Sequence, residues 1–238
     1  MRGRGFTLIE CLLGLALSLF VITAGLEFYA RAQKAFFRLK AREEAGQGAL
    51  AALDRMRIDL LHAGRGLVPE IGLGLIEAAE ATATELRATS LERVLELAAL
   101  AGAGDTRLAL VSTAGIVSGQ RIALRDGTAG EIRTITGVEP GAVVIDAPLE
   151  RGYPPASTVL SLLEGVAYFL DGPSRILRRR VNASPAQPLL EDTAAAAWAL
   201  DPAALIVRIR IEPGVEGAHA HEATVFLKNP ALARNSGT

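Results

Sequence analysis

The chain has 238 residues and a mass of 25.0 kDa, half of it hydrophobic, and 25 Lys and Arg against 26 Asp and Glu leave a formal net charge of -1. That is enough length for one globular domain plus an appendage, or for two small domains. The even charge balance excludes a surface built throughout for nucleic acid, which needs a basic excess to displace phosphate counterions, and the single cysteine excludes an intramolecular disulfide framework.

The first element is an apolar run from Phe6 to Leu26, FTLIECLLGLALSLFVITAGL, whose only carboxylate is Glu10. As a helix it is about 31 Å long, which matches the hydrocarbon core of a bilayer. Arg2 and Arg4 precede it with no acidic residue, so the first five residues are expected in the cytoplasm and everything after Leu26 on the far side. Three readings compete. A cleaved secretory signal has a passable cut site at Ile22-Thr23-Ala24, and a plain anchor needs only the length. Neither has a use for Glu10, which costs about 2.5–3.5 kcal/mol inside an apolar span and is by default functional there.

Gly5-Phe6-Thr7-Leu8-Ile9-Glu10, after a short basic leader and before a long apolar helix, resembles the processing site of the type IV pilin family, which includes the pseudopilins of type II secretion. The resemblance implies that a membrane prepilin peptidase cuts between Gly5 and Phe6 and that the new Phe6 amine is methylated. It also implies that Glu10 pairs with the amine of a neighbouring subunit when the filament assembles. Such a pairing offsets the desolvation penalty of both buried charges, and a helix N-terminus favours a carboxylate. The extreme tip subunit of the family typically lacks this Glu, so the resemblance does not place the chain at the apex. Cys11 is read as a small packing residue rather than a lipidation site.

Residues 27–64 are expected to continue the helix as an amphipathic rod. Apolar side chains recur at spacings of three and four through Ala32, Phe36 and Leu39, then Leu50, Leu53, Met56 and Leu60, and this last stripe is the expected packing face. Gly64 and Pro69 end it, and Gly46 and Gly48 mark a place where a local break is expected to be tolerated. Between Gly66 and Gly104 the pattern is least readable. Thr89 followed by Glu92 has the form of a capping box and predicts a short helix over LERVLELAAL, while Leu73 to Ala88 fits strand or helix.

From Arg107 onward the period becomes two. Short apolar runs (Ile122 and Leu124, Ile132 and Ile135, Val143 to Ile145, Val159 to Leu163, Val166 to Leu170, Ile176 to Val181) alternate with Asp126-Gly127, Pro140-Gly141, Pro154-Pro155 and Asp171-Gly172. Leu205, Val207, Ile209 and Ile211 form a half-buried strand, and Ala223, Val225 and Leu227 the last one. The expected class is α+β: a long N-terminal helix, membrane-spanning in its first half, packed on an antiparallel β-rich head over residues 65–238. The strand-rich segment 107–162 is expected to be an insertion beyond a minimal head. Asp59 to Gly64, Tyr168 to Arg179 and Val225 to Asn229 resemble, more loosely, the PilW-type minor pilins and GspJ-type pseudopilins.

Other candidate chemistry has bland readings. His219, His221 and Glu222 share alternate positions suited to a metal but lie where a solvated loop is expected. Arg178, Arg179 and Arg180 point to opposite faces in turn, so they are read as charge guarding a strand edge, and DNA binding is not supported. Asn182-Ala183-Ser184 is a sequon of little weight in a bacterial chain, Gly102 to Asp105 is a turn, and Trp198 is a core anchor. No nucleophile, base and orienting acid stand at readable spacing, so neither catalysis nor a cofactor or metal is expected.

The expected role is a minor pilin of a bacterial type IV pilus, in its tip or priming complex. It is held in the inner membrane with a periplasmic head until it enters the extracellular filament. The implied partners are major and minor pilins, the prepilin peptidase, the inner-membrane assembly platform and lipid. A type II secretion pseudopilin is the near alternative, and a membrane-tethered periplasmic enzyme or binding protein the distant one.

Overall fold

A computed structural model of the chain describes residues 8–127 and 129–235. Helix α1 (Leu8–His62) runs unbroken through Gly46 and Gly48. It holds no proline and is rich in Ala, Leu, Arg and Glu, all strong helix formers. The two glycines lie just past Arg42, where the rod meets the head. A Cβ on Gly48 would stand 2.9 Å from Leu190 Cδ1, and one on Gly46 would stand 3.5 Å from His221 Nε2. They permit close approach, so no break occurs where one was expected to be tolerated. The helix stops as the sequence predicts: Gly64 takes φ +75° and its N–H donates to Thr89 O at 2.7 Å.

The packing face of α1 is Ala49, Ala52, Leu53, Met56, Asp59 and Leu60. Leu50, expected on this stripe, is 51% exposed; Ala49 continues the face, because four residues before Leu53 is nearer one helical turn than three.

After the short helix α2 (Val68–Gly72) come β1 (Ala79–Ala81) and β2 (Glu85–Leu95). The helix predicted over LERVLELAAL is therefore corrected: Leu91 to Leu95 belong to strand β2, and residues 96–100 hold only an isolated bridge from Leu97 to Leu110. Strand β2 pairs with β7 (Thr158–Asp171) from Glu85↔Phe169 to Leu95↔Leu160, so a long buried ladder overrides the local capping signal. Thr89 gives its N–H to Ala78 O, and Glu92 accepts from Gln120 Nε2 at 2.7 Å.

The remaining strands are β3 (Arg107–Ala109), β4 (Arg121–Asp126), β5 (Ala129–Glu139), β6 (Ala142–Ile145), β8 (Ile176–Val181), β9 (Gln187–Leu190), β10 (Thr193–Asp201), β11 (Ile206–Pro213) and β12 (His221–Phe226), followed by α3 (Lys228–Asn235). Among the described residues, nine strands form one sheet with the order β1-β2-β7-β4-β5-β6-β3, β8 and β9 branching from β7. The other three form the sheet β10-β11-β12, and every pairing is antiparallel. The two apolar runs on either side of Glu164 and Gly165, read separately in the sequence, are one strand.

The core beneath α1 joins both sheets: Leu86, Val166, Tyr168 and Leu177 from the large one, Val207, Ile209, Ile211 and Val225 from the small one. A separate core holds Leu95, Leu108, Ile122, Ile135, Val143, Tyr153, Leu160 and Leu162, so the strands of segment 107–162 bury apolar surface of their own.

Candidate functional site

Gly5 and Phe6, the cleavage and methylation positions implied by the family resemblance, lie outside the described residues. Glu10 stands in the first turn of α1, where the helix dipole favours an anion. Around it the helix is apolar on all sides: Leu8, Ile9, Leu12, Leu13, Leu15, Leu17 and Phe20 are exposed, as is Cys11. None of the apolar window of α1 is buried by the rest of the chain, and the helix is long and apolar enough to cross a membrane. The hydroxyls in this stretch are satisfied within it. Ser18 Oγ donates to Gly14 O at 2.8 Å, and Thr23 Oγ1 donates to Leu19 O and Phe20 O, each at 2.9 Å. Glu10 is thus the one carboxylate in a surface otherwise suited to hydrocarbon.

The apolar exposure continues beyond Leu26. Phe28, Tyr29, Phe36, Phe37 and Leu39 are all exposed, and the Phe36 and Phe37 rings pack edge to face at 5.9 Å. The head first touches α1 at Arg42, whose Nε donates to Glu216 O at 2.7 Å, and buries it from Ala49 onward, so the expected amphipathic face at Phe36 and Leu39 has no partner among the described residues.

Where α1 meets the head, a polar cluster fixes it. The Asp59 carboxylate, 8% exposed, accepts the Tyr168 hydroxyl and Arg179 Nε through Oδ2, the latter at 2.7 Å, while Arg55 approaches Oδ1 at 3.4 Å. These side chains come from α1, β7 and β8, so the cluster locks the helix to two strands. Asn229 Nδ2 adds bonds to Ala63 O at 2.9 Å and Leu61 O at 3.3 Å, serving carbonyls that a helix end leaves open. In the sequence Asp59, Tyr168 and Arg179 stand out only as parts of loose motifs. Their convergence depends on pairings across more than a hundred residues, which periodicity does not carry.

Burial, and then the hydrogen bond to Asp59, push the Tyr168 phenol well above its ordinary range; burial and the neighbouring Glu131 carboxylate do the same to Tyr153. A folded-state pKa above the unfolded one stabilises the fold below the unfolded value and loses that stability as pH rises. The head is therefore expected to lose thermal stability above about pH 10. Melting curves from neutral to strongly alkaline pH check this, and Tyr168→Phe is expected to flatten the alkaline fall relative to the parent chain.

The other residues singled out in the sequence are placed as follows. Arg178 and Arg180 share one face of β8 and Arg179 the other. The strand is not an edge, since β7 and β9 flank it, and each guanidinium has a carboxylate: Asp171, Asp59 and Glu85 in turn. His219 is exposed in the loop before β12 and His221 opens that strand; among the described residues, no group of three or more His, Cys, Asp or Glu is placed to hold a metal ion. Asn182 takes φ 50°, and its side-chain oxygen accepts the Gly165 N–H at 2.7 Å. Gly102 to Asp105 is a turn, closed by Gly102 N–H donating to Asp105 Oδ2 at 2.7 Å. Trp198 is only partly buried; its Nε1 donates to Thr82 O at 2.7 Å and ties the small sheet to the β1–β2 turn.

No family model and no curated protein matches the chain. Among solved structures, it is similar to the Gp54 tailspike of Acinetobacter baumannii bacteriophage AP22, at 12% identity and TM-score 0.29 over 32% of this chain and 15% of that one. It is also similar to the tailspike gp49 from Pseudomonas phage LKA1, at 20% identity and TM-score 0.26 over 31% of this chain and 15% of that one. The matches take in a small part of those long chains and are too slight to define either fold or activity.

Proposed function

We propose that the chain is a minor pilin: a subunit held in the bacterial inner membrane by the first part of α1, processed between Gly5 and Phe6, and drawn into a type IV pilus through Glu10. What supports the reading is the contrast along α1. From Ala49 its apolar face is buried in the head, whereas the stretch from Leu8 to Leu26 is apolar, uncovered and carries one carboxylate, Glu10, in its first turn. Such a surface is stable in lipid or among other helices, and the two environments are the two ends of pilin assembly.

In this mechanism binding does all the work. Within the bilayer Glu10 is costly; beside the Phe6 amine of a neighbour it is compensated, so the subunit moves from membrane to filament. The exposed Phe28, Phe36, Phe37 and Leu39 then pack between stalks, and the head meets the heads of other minor pilins. The test is the mass and N-terminal residue of the protein purified from its bacterium. A chain beginning with methylated Phe6 is expected; one beginning at Met1 or Gly25 overturns the proposal.

A further inference from the structure

On the face of the large sheet turned away from α1, β4 and β8 lie end to end along one edge of β7, and β2 lies along its other edge. The registers Arg87↔Ala167↔Arg180 and Leu91↔Leu163↔Arg121 bring three arginines from three strands onto one face. Between them β7 presents Gly165 and Ala167, which have too little side chain to fill the space. The result is a half-open depression of about 120 Å³ lined by Arg87, Arg121, Arg180, Asn182, Gly119 and Gly165.

We propose that this depression is a binding site for a single carboxylate, and the inference rests on no part of the pilus reading. The cavity holds about four water volumes, the size of a small carboxylate with its first carbons. Arg87 is held in place by two bonds to Glu85 Oε1, at 3.1 and 2.7 Å, and Arg180 by Glu85 Oε2 at 3.3 Å. Arg121 bonds the Thr89 hydroxyl at 3.1 Å and has no carboxylate within ion-pairing distance among the described residues. Burial and the nearby Arg87 both act to lower the Arg121 pKa, partly countered by Glu80, as expected of a cation short of an anion. Three guanidinium groups against the carboxylates of Glu80 and Glu85 leave one positive charge, which a monoanion balances. Arginine forks suit the planar oxygen pair of a carboxylate.

The bilayer is too distant to supply the anion. The site lies beside Thr89, whose carbonyl meets Gly64 at the end of α1, about 57 Å along the helix from Leu26. The occupant is therefore a free small acid or an acidic side chain of another polypeptide.

The test uses the full chain in neutral-detergent micelles, with thermal unfolding followed at constant ionic strength while chloride is replaced by acetate, by N-acetylglutamate amide or by inorganic phosphate. A saturable rise in melting temperature with acetate or N-acetylglutamate amide is expected. Tighter binding of the second identifies a partner side chain as the occupant, and tighter binding of acetate a free acid. Arg121→Gln is expected to weaken the apparent affinity at least tenfold, while Arg208→Gln, on β11, leaves it unchanged. Arg87→Gln and Arg180→Gln, each on a different strand, keep the test sound should Arg121→Gln not fold. No saturable rise with either carboxylate, a rise that all three site variants retain in full, or a rise with phosphate alone overturns the proposal.

Discussion

Asp59→Ala is expected to lower the unfolding free energy of the head by about 3–5 kcal/mol, the usual cost of removing one partner from a buried ion pair. The substitution leaves Arg179, which is 15% exposed, without its carboxylate, and leaves the fully buried Tyr168 hydroxyl without its acceptor. Two orphaned groups of different chemistry make the loss larger than the missing contact alone. Urea unfolding of the full chain in micelles reads it as a lower midpoint at unchanged slope. Adding Arg179→Met to Asp59→Ala is expected to recover part of the loss, since it removes the stranded charge. A change below about 1 kcal/mol would mean that the pair behaves as a solvated surface bridge.

Glu10→Ala is expected to leave membrane insertion intact, or to favour it, because it removes a carboxylate that costs about 2.5–3.5 kcal/mol in an apolar span. Under the assembly proposed above, the same variant strands the Phe6 amine of the adjoining subunit, and its amount in sheared surface fibres is expected to fall at least tenfold relative to its amount in the membrane. Glu10→Gln is expected to fail likewise, since it keeps the shape and loses the charge. Normal incorporation of both would remove Glu10 from any part in assembly.

Much of the fold was legible because its signals are local. The apolar run, the stop at Gly64 and the alternation of Val207, Ile209 and Ile211 are each decided within one turn or one strand. The strand at Thr89 to Leu95 was not, since its capping pattern is genuine and only pairing with β7 overrules it. Leu50 misled by one helical position. The arginine depression was the least visible feature. In the sequence Arg180 belongs to a run of three, whereas in space its companions are Arg87 and Arg121, and β7 alone brings them together. Glu10 was visible because an apolar stretch shows any charge without a fold to interpret it.

The strand β7, 14 residues long, contributes Leu160 and Leu162 to the far core and Val166 and Tyr168 to the core under α1. A tensile load applied at the Thr158 end of β7 thus has a continuous covalent path of about 33 Å to Tyr168, the Asp59 cluster and the stalk. Tension directed along that path shears the β2–β7 ladder as a unit instead of peeling it rung by rung, which makes this strand the mechanical spine of the head.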